Sequence, residues 1–357
     1  MTGTSNDGAK IRMTERKDQQ GGTSRETVGS GSSHDAVSPW KMPWAGWRDV
    51  VLRTAKEASS DNVGLVAAGV SFYGFLALLP LLGAVVLSYG LLADPQTVLQ
   101  NMTAMTRVMP TDIAQLIGEQ LLHVVRTSSE KKGLGVLVAL ALAIFSARNG
   151  AAAIVTALNI AYEEEEARGF IKVNLLALAI TAAAVVLAVL ALLAVAIMTR
   201  IEAVLPASPA LALGSQILSY IVLVGLASGA AGLLYRFGPS RDAARWQWLS
   251  VGSLLFAVGW VALTVGFGTY VANFGNYSAT YGSLATVVIL LTWLYLSSYL
   301  LIFGAELNSE LEHQTRRDTT KGPEQPLGSR GAWSADHVAH GSSTKGEGNP
   351  TAGEDQG

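Results

Sequence analysis

The chain has 357 residues, 50% of them hydrophobic and 15% charged, with a formal net charge of −2 and a mean hydropathy of +0.35. A charged share well below the roughly 25% of soluble domains points to a membrane protein, and the near-neutral balance carries no basic footprint for nucleic acid. The absence of cysteine excludes disulfides, thiol catalysis, iron–sulfur sites and cysteine-ligated zinc.

Residues 1–40 are Gly, Ser, Thr and charge without apolar periodicity and are expected to be a disordered cytoplasmic tail. No apolar run follows Met1, so no secretory signal is expected. Trp40, Trp44 and Trp47 stand beside Lys41, Arg48, Arg53 and Lys56, the composition of a helix at a membrane interface or of an ordinary surface helix. From here to residue 317 the pattern is that of an all-α polytopic bundle of six transmembrane helices, at about 65–92, 134–162, 173–198, 213–234, 248–271 and 283–307.

The first span contains Pro80, which frees a backbone carbonyl and is expected to kink it. The loop 93–133 places Ile113, Leu116, Ile117, Leu121, Val124 and Val125 on one helical face, which suits amphipathic helices on the bilayer or a solvated connector. If the second span is one helix, Arg148 sits at its midpoint, with Asn149 beside it. Arginine at that depth costs about 2.5–3.5 kcal/mol. It therefore meets a partner, lines a wet cavity, or snorkels from a tilted helix.

The third span is uncharged Ala, Leu and Val. The fourth carries Gly225-x-x-x-Gly229 and the fifth carries Gly252, Gly259 and Gly266 at seven-residue intervals, two expected close-packing faces. Tyr281-Gly282 forms the turn into the sixth span, whose run from Leu284 to Phe303 has no charge and ends at Glu306 and Asn308. Residues 318–357 are again polar and Gly/Ser-rich and are expected to be a second disordered cytoplasmic tail.

The basic residues set the orientation. Lys41, Arg48, Arg53, Lys56, Arg168, Lys172, Arg236, Arg241, Arg245, Arg316, Arg317 and Lys321 fall on one side, against Arg107, Arg126, Lys131, Lys132 and Arg200 on the other. The positive-inside rule then places both termini in the cytoplasm.

No H-x-H-x-D, H-E-x-x-H, G-x-S-x-G or Walker run is present, so no metal site, cofactor or catalytic residue is expected. The candidates are instead polar groups at membrane depth: Arg148, Asn149, Asn159, Tyr162, Arg236, Glu306 and Asn308. Arg236 and Glu306 fall at the same end of the bundle, where they can pair, either as part of a pathway or as a helix-end salt bridge.

Four blocks in order resemble the YihY/virulence factor BrkB family. They are Ala67-Ala68 through Ser71 and Tyr73 to Leu79-Pro80-Leu81-Leu82; Ser146-x-x-Asn149-Gly150 through Asn159 to Tyr162; Leu234-Tyr235-Arg236-Phe237-x-Pro239 with Trp246; and Tyr281-Gly282-Ser283-Leu284 through Trp293 and Tyr295 to Glu306-Leu307-Asn308. The resemblance covers residues 45–313 and implies a six-span inner-membrane protein with cytoplasmic ends. Members once carried the label ribonuclease BN, widely regarded as a misassignment, and are linked to serum resistance, envelope integrity and, for some, lipid or ion movement.

The expected function is transport or handling of an envelope lipid or other anionic solute, with Arg148 and Arg236 attracting the anion and Glu306 balancing charge. Membrane lipids are the expected partners. The alternative is a structural or assembly subunit that organises envelope proteins through the loop 93–133, and ribonuclease is the third reading.

Overall fold

A computed structural model of the protein describes residues 33–90, 134–204, 209–274 and 284–339. The loop 93–133, Tyr281, Gly282 and residues 1–32 and 340–357 lie outside them. Within the described residues the regular structure is helical: α1 (Trp44–Ser60), α2 (Val63–Gly90), α3 (Leu134–Ala161), α4 (Phe170–Val204), α5 (Pro209–Phe237), α6 (Trp246–Phe274), α7 (Leu284–His313) and a single turn, α8 (Trp333–Asp336).

Long uncharged runs make these helices, because a backbone that must satisfy its own hydrogen bonds in hydrocarbon has little other choice. Four stretches are long and apolar enough to cross a membrane: Phe170–Ala194, Leu213–Phe237, Trp246–Ala272 and Leu284–His313. Among the described residues, Trp44–Ser60 and Val63–Leu78 pass the same test only together, across a bend of 64°, as a broken span or a re-entrant loop. The protein is thus all-helical and multi-pass. The expected count of six rests in addition on α2 beyond Leu78 and α3 before Arg148, where side chains lie outside the described ones. As expected, α3 is one unbroken helix of 28 residues with Arg148 near its middle.

The six long helices pack as a closed ring in chain order. Each of α2 to α6 contacts the next, and α7 closes the ring by packing on both α6 and α2. Outward-facing positions stay apolar and exposed, among them Leu175, Val186, Leu190, Ile217, Ile221 and Val258, as lipid contact demands. Short α1 lies against α7 through Gly46, Val50, Thr54 and Ala58, spaced four apart on one buried face. Trp40 and Trp44 stay exposed beside it.

The tightest crossing is between α6 and α7. A Cβ at Gly252 would collide with the Gly304 carbonyl and come within 2.6 Å of the Asn308 side chain, while one at Gly304 would come to 2.5 Å from the Tyr235 hydroxyl. The expected glycine stripes are otherwise corrected. Nothing lies within 4 Å of a Cβ at Gly225, Gly229 or Gly266, and Gly259 meets only Leu300 at an ordinary 3.5 Å. On α5 the small-residue face, which includes Gly232, meets α6 only at its C-terminal end, where a Cβ at Gly232 would lie 3.3 Å from Ser253 and 3.4 Å from Trp246. The sharp bend near the first span is at Asp61–Asn62, where Asn62 has φ 53°. Pro80 lies inside α2, with its side chain outside the described ones.

The polar termini differ from expectation. Residues 33–42 and 314–339 fold onto the end of the bundle. Asp318, Thr319, Thr320, Arg330 and Ser334 are buried, and Ala36 and Met42 join a core with Val50, Trp248, Leu307 and Leu311. Arg316 N–H donates to the His34 carbonyl, and the Thr315 hydroxyl reaches the carbonyls of His34 and Ala36. Buried Arg330 donates to the carbonyls of Arg316, Arg317, Gln325 and Ala335 and holds the strap in shape. Its order comes from hydrogen bonds made by Thr, Asp and Arg rather than from an apolar stripe.

Candidate functional site

One end of the ring gathers the C-termini of α3, α5 and α7, the N-terminus of α6, the α1–α2 elbow and the strap 314–339. Asn159 ties the end of α3 to the loops that follow α3 and α5. Its carbonyl accepts from the Ser240 N–H at 2.8 Å, and its amide donates to Glu166 at 3.0 Å. Arg168 clamps the same Glu166 through both carboxylate oxygens at 2.7 and 2.6 Å and also donates to the Gly238 carbonyl. The Arg168 hydrogen bond is the main reason the Glu166 carboxyl is pulled down to about 2.

Arg241, in the α5–α6 loop, forms the central ion pair. One guanidinium nitrogen donates to both Glu312 oxygens at 2.8 Å, with side-chain exposures of 1% and 0%. A second nitrogen donates to Ser334 of the strap, and the guanidinium carbon lies 4.7 Å from the Tyr162 ring centroid. Burial works against the Arg241 charge, but the Glu312 carboxylate and Tyr162 outweigh it and hold the guanidinium above its ordinary value. Thr319 donates a further hydrogen bond to Glu312 at 2.6 Å. Glu164, whose carboxyl burial pushes upward, accepts from the Trp333 N–H at 2.7 Å.

Arg236 is placed differently. It is 8% exposed, donates to the Ala244 carbonyl, and lies 4.8 Å from the Trp246 ring and 5.6 Å from the Phe237 ring. No carboxylate forms an ion pair with it among the described residues. Desolvating a guanidinium costs several kcal/mol, and cation–π contacts return about 0.5–2 kcal/mol.

Arg236 lines an open cavity of about 400 Å³ shared with Arg168, Arg241, Phe237, Pro239, Ser240, Asp242, Ala243 and Gly331. That volume suits a small ligand or a headgroup. Gly331 brings the strap to its rim, fixed by Asp242 N–H donating to the Gly331 carbonyl at 2.8 Å.

The sequence candidates thus divide. Asn159, Tyr162, Arg236, Glu306 and Asn308 converge on this end. Arg148 lies about 20 Å away along α3 and donates to the Asn174 side chain of α4, a partner not foreseen, while Asn149 is exposed. The Arg236–Glu306 pair that their shared end would allow is not formed, since Arg236 turns to Ala244 and Trp246. Asn308 is a clamp, accepting from Gly252 N–H at 2.8 Å and donating to the Leu249 carbonyl at 3.3 Å. Arg241, Glu312, Glu166 and Ser240 were missed as site residues. Only the charge of Arg241 stood out, and its partner lies 71 residues away.

The model of the family described as virulence factor BrkB matches residues 54–328. The chain belongs to this family. The match runs past the end of α7 into the first part of the strap and stops short of Gly331 at the cavity rim. One curated relative, the "Putative ribonuclease-like protein YfkH" of Bacillus subtilis (strain 168), is 29% identical over 211 residues, which is 57% of this chain and 74% of that protein. No solved structure matches this BrkB-family chain. Among its described residues no group of three or more His, Asp and Glu side chains is arranged to hold a metal ion.

Proposed function

We propose that this BrkB-family protein sits in the bacterial inner membrane with both termini cytoplasmic and binds and moves an anion, an envelope phospholipid headgroup or a similar solute. The observation that carries this reading is Arg236, a buried cation that has no carboxylate partner among the described residues and faces a headgroup-sized cavity at the end of the bundle. An anion in that cavity would restore the charge balance that the protein leaves open. Arg168 and Arg241 shape the cavity while their charges are held by Glu166 and Glu312.

The test is lipid binding by the full chain in nanodiscs, read by native mass spectrometry with phosphatidylglycerol against phosphatidylcholine. Arg236→Gln is expected to weaken phosphatidylglycerol binding about tenfold, or 1.4 kcal/mol, and Arg236→Lys to retain part of it. Unchanged binding by Arg236→Gln would remove the reading.

The relative's name keeps a ribonuclease reading open to the same preparation. Degradation of RNA that is lost on substitution of one acidic residue would replace transport with catalysis. The assembly reading depends on the loop 93–133, and crosslinking from that loop to an envelope protein would favour it.

A further inference from the structure

Two buried side-chain polar atoms lack a hydrogen-bond partner among the described residues, one Glu306 carboxylate oxygen and the Tyr162 hydroxyl. Both belong to the same end of the bundle, and Glu306 and Tyr162 are 3% and 0% exposed. An orphaned polar atom at that depth costs about 1–3 kcal/mol, so two in one neighbourhood mark a place built to hold something.

The surroundings of Glu306 are acidic. The Asp61 carboxyl, at the α1–α2 elbow, lies within hydrogen-bonding reach of it, and Glu57 of α1 and Glu310 of its own helix are its other charged neighbours. Glu163 in the next loop faces Asp61, Glu57, Glu310 and His313. The nearby bases are already engaged by Glu310: Arg53 at 2.6 Å and the His313 ring at 3.7 Å. Neither Glu306 nor Asp61 has an ion-pair partner among the described residues. An ionised carboxylate only accepts hydrogen bonds, so two carboxylates side by side can bond to each other only through a hydrogen that one of them carries. Two like charges that close in a buried site cannot both persist.

We propose that Glu306 and Asp61 form a binding site for one proton, shared between the two carboxyl groups and closing the α1–α2 elbow onto α7. The balance is simple. One proton taken from the aqueous side turns a carboxylate pair of charge −2 into a hydrogen-bonded pair of charge −1. No metal cation is needed, and no acid–histidine group of metal-binding arrangement exists among the described residues. The pair is also linked to the cavity, since Tyr162 has Glu306 and Arg241 as charged neighbours and Arg241 lines the cavity wall. The inference stands on the carboxyl geometry and does not require the anion reading.

Infrared difference spectroscopy of the full chain in nanodiscs, stepped from acid to alkaline pH, reads the proton directly. The wild type is expected to show one protonated-carboxyl C=O band that shifts in D2O and disappears on raising the pH. Glu306→Gln and Asp61→Asn should each abolish it, and Glu310→Gln should leave it in place. Absence of any such band in the folded wild type would overturn the proposal, and that measurement needs no variant. Persistence of the band in both Glu306→Gln and Asp61→Asn would overturn it equally. Loss of the band on adding sodium or potassium at constant pH would reassign the site to a metal cation.

Discussion

At the scale of single residues, among the described residues at this end of the bundle, Arg53, Arg168 and Arg241 are paired with carboxylates, whereas buried Arg236 bonds a backbone carbonyl. Arg241 and Glu312 are both sealed from water, so removing one partner strands the other. Arg241→Ala is expected to destabilise the protein by about 3–5 kcal/mol, while replacing both partners with apolar residues of similar volume should cost less than either single change. Thermal unfolding in detergent checks both. Glu166 gives a pH handle outside the membrane-spanning segments. Its carboxyl is lowered from 4.5 to about 2, so its pairing with Arg168 adds stability above the ordinary value and loses it as pH falls toward 2. Carbon-13 NMR should find Glu166 titrating near pH 2 in the wild type and near its ordinary value in Arg168→Ala. An unshifted Glu166 in the wild type would contradict the clamp.

At the scale of elements, the glycines make opposite predictions. Gly252→Ala drives a methyl into the Gly304 carbonyl of the facing helix, two backbones that cannot yield like a side-chain tip. It should cost at least the 1–3 kcal/mol typical of overpacking, read as a lowered Tm. Gly225→Ala and Gly229→Ala meet open space and should be neutral or gain up to about 1 kcal/mol from helix propensity. This contrast also marks how far the sequence could be read. The helices were legible because exposure to lipid forces long uncharged runs, and α4 differs mainly in extending beyond the expected 173–198 to Phe170 and Val204. How far along the glycine face of α5 the contact with α6 extends was not legible, since Gly232 packs on Ser253 and Trp246 while Gly225 and Gly229 meet nothing within 4 Å. The strap was illegible for a different reason. Asp318 and Arg330 offset their burial through hydrogen bonds with backbone groups and Thr320 through one to the Asp318 carboxylate, a pattern that composition reads as a solvated tail.

At the scale of the whole molecule, a ring of helices carries its polar machinery at one end, with both terminal segments laced over it. In the proposed orientation, read from the basic residues, that end faces the cytoplasm. Single cysteines introduced at Glu165 and Glu324, both exposed, should resist an impermeant maleimide in intact cells and react once the membrane is opened. Labelling of either in intact cells would invert the topology. The candidate pathway residues also separate on this scale. Arg236 faces the cavity at the bundle end, whereas Arg148, from the middle of α3, is engaged with Asn174 in the first turns of α4. The most direct measurement is flux of a fluorescent anionic phospholipid in proteoliposomes holding the full chain, Arg236→Gln or Arg148→Ala. The account predicts flux cut about tenfold by Arg236→Gln, matching its weakened binding, with Arg148→Ala closer to the wild type. Full flux in Arg236→Gln, or none above empty liposomes in the wild type, would contradict it.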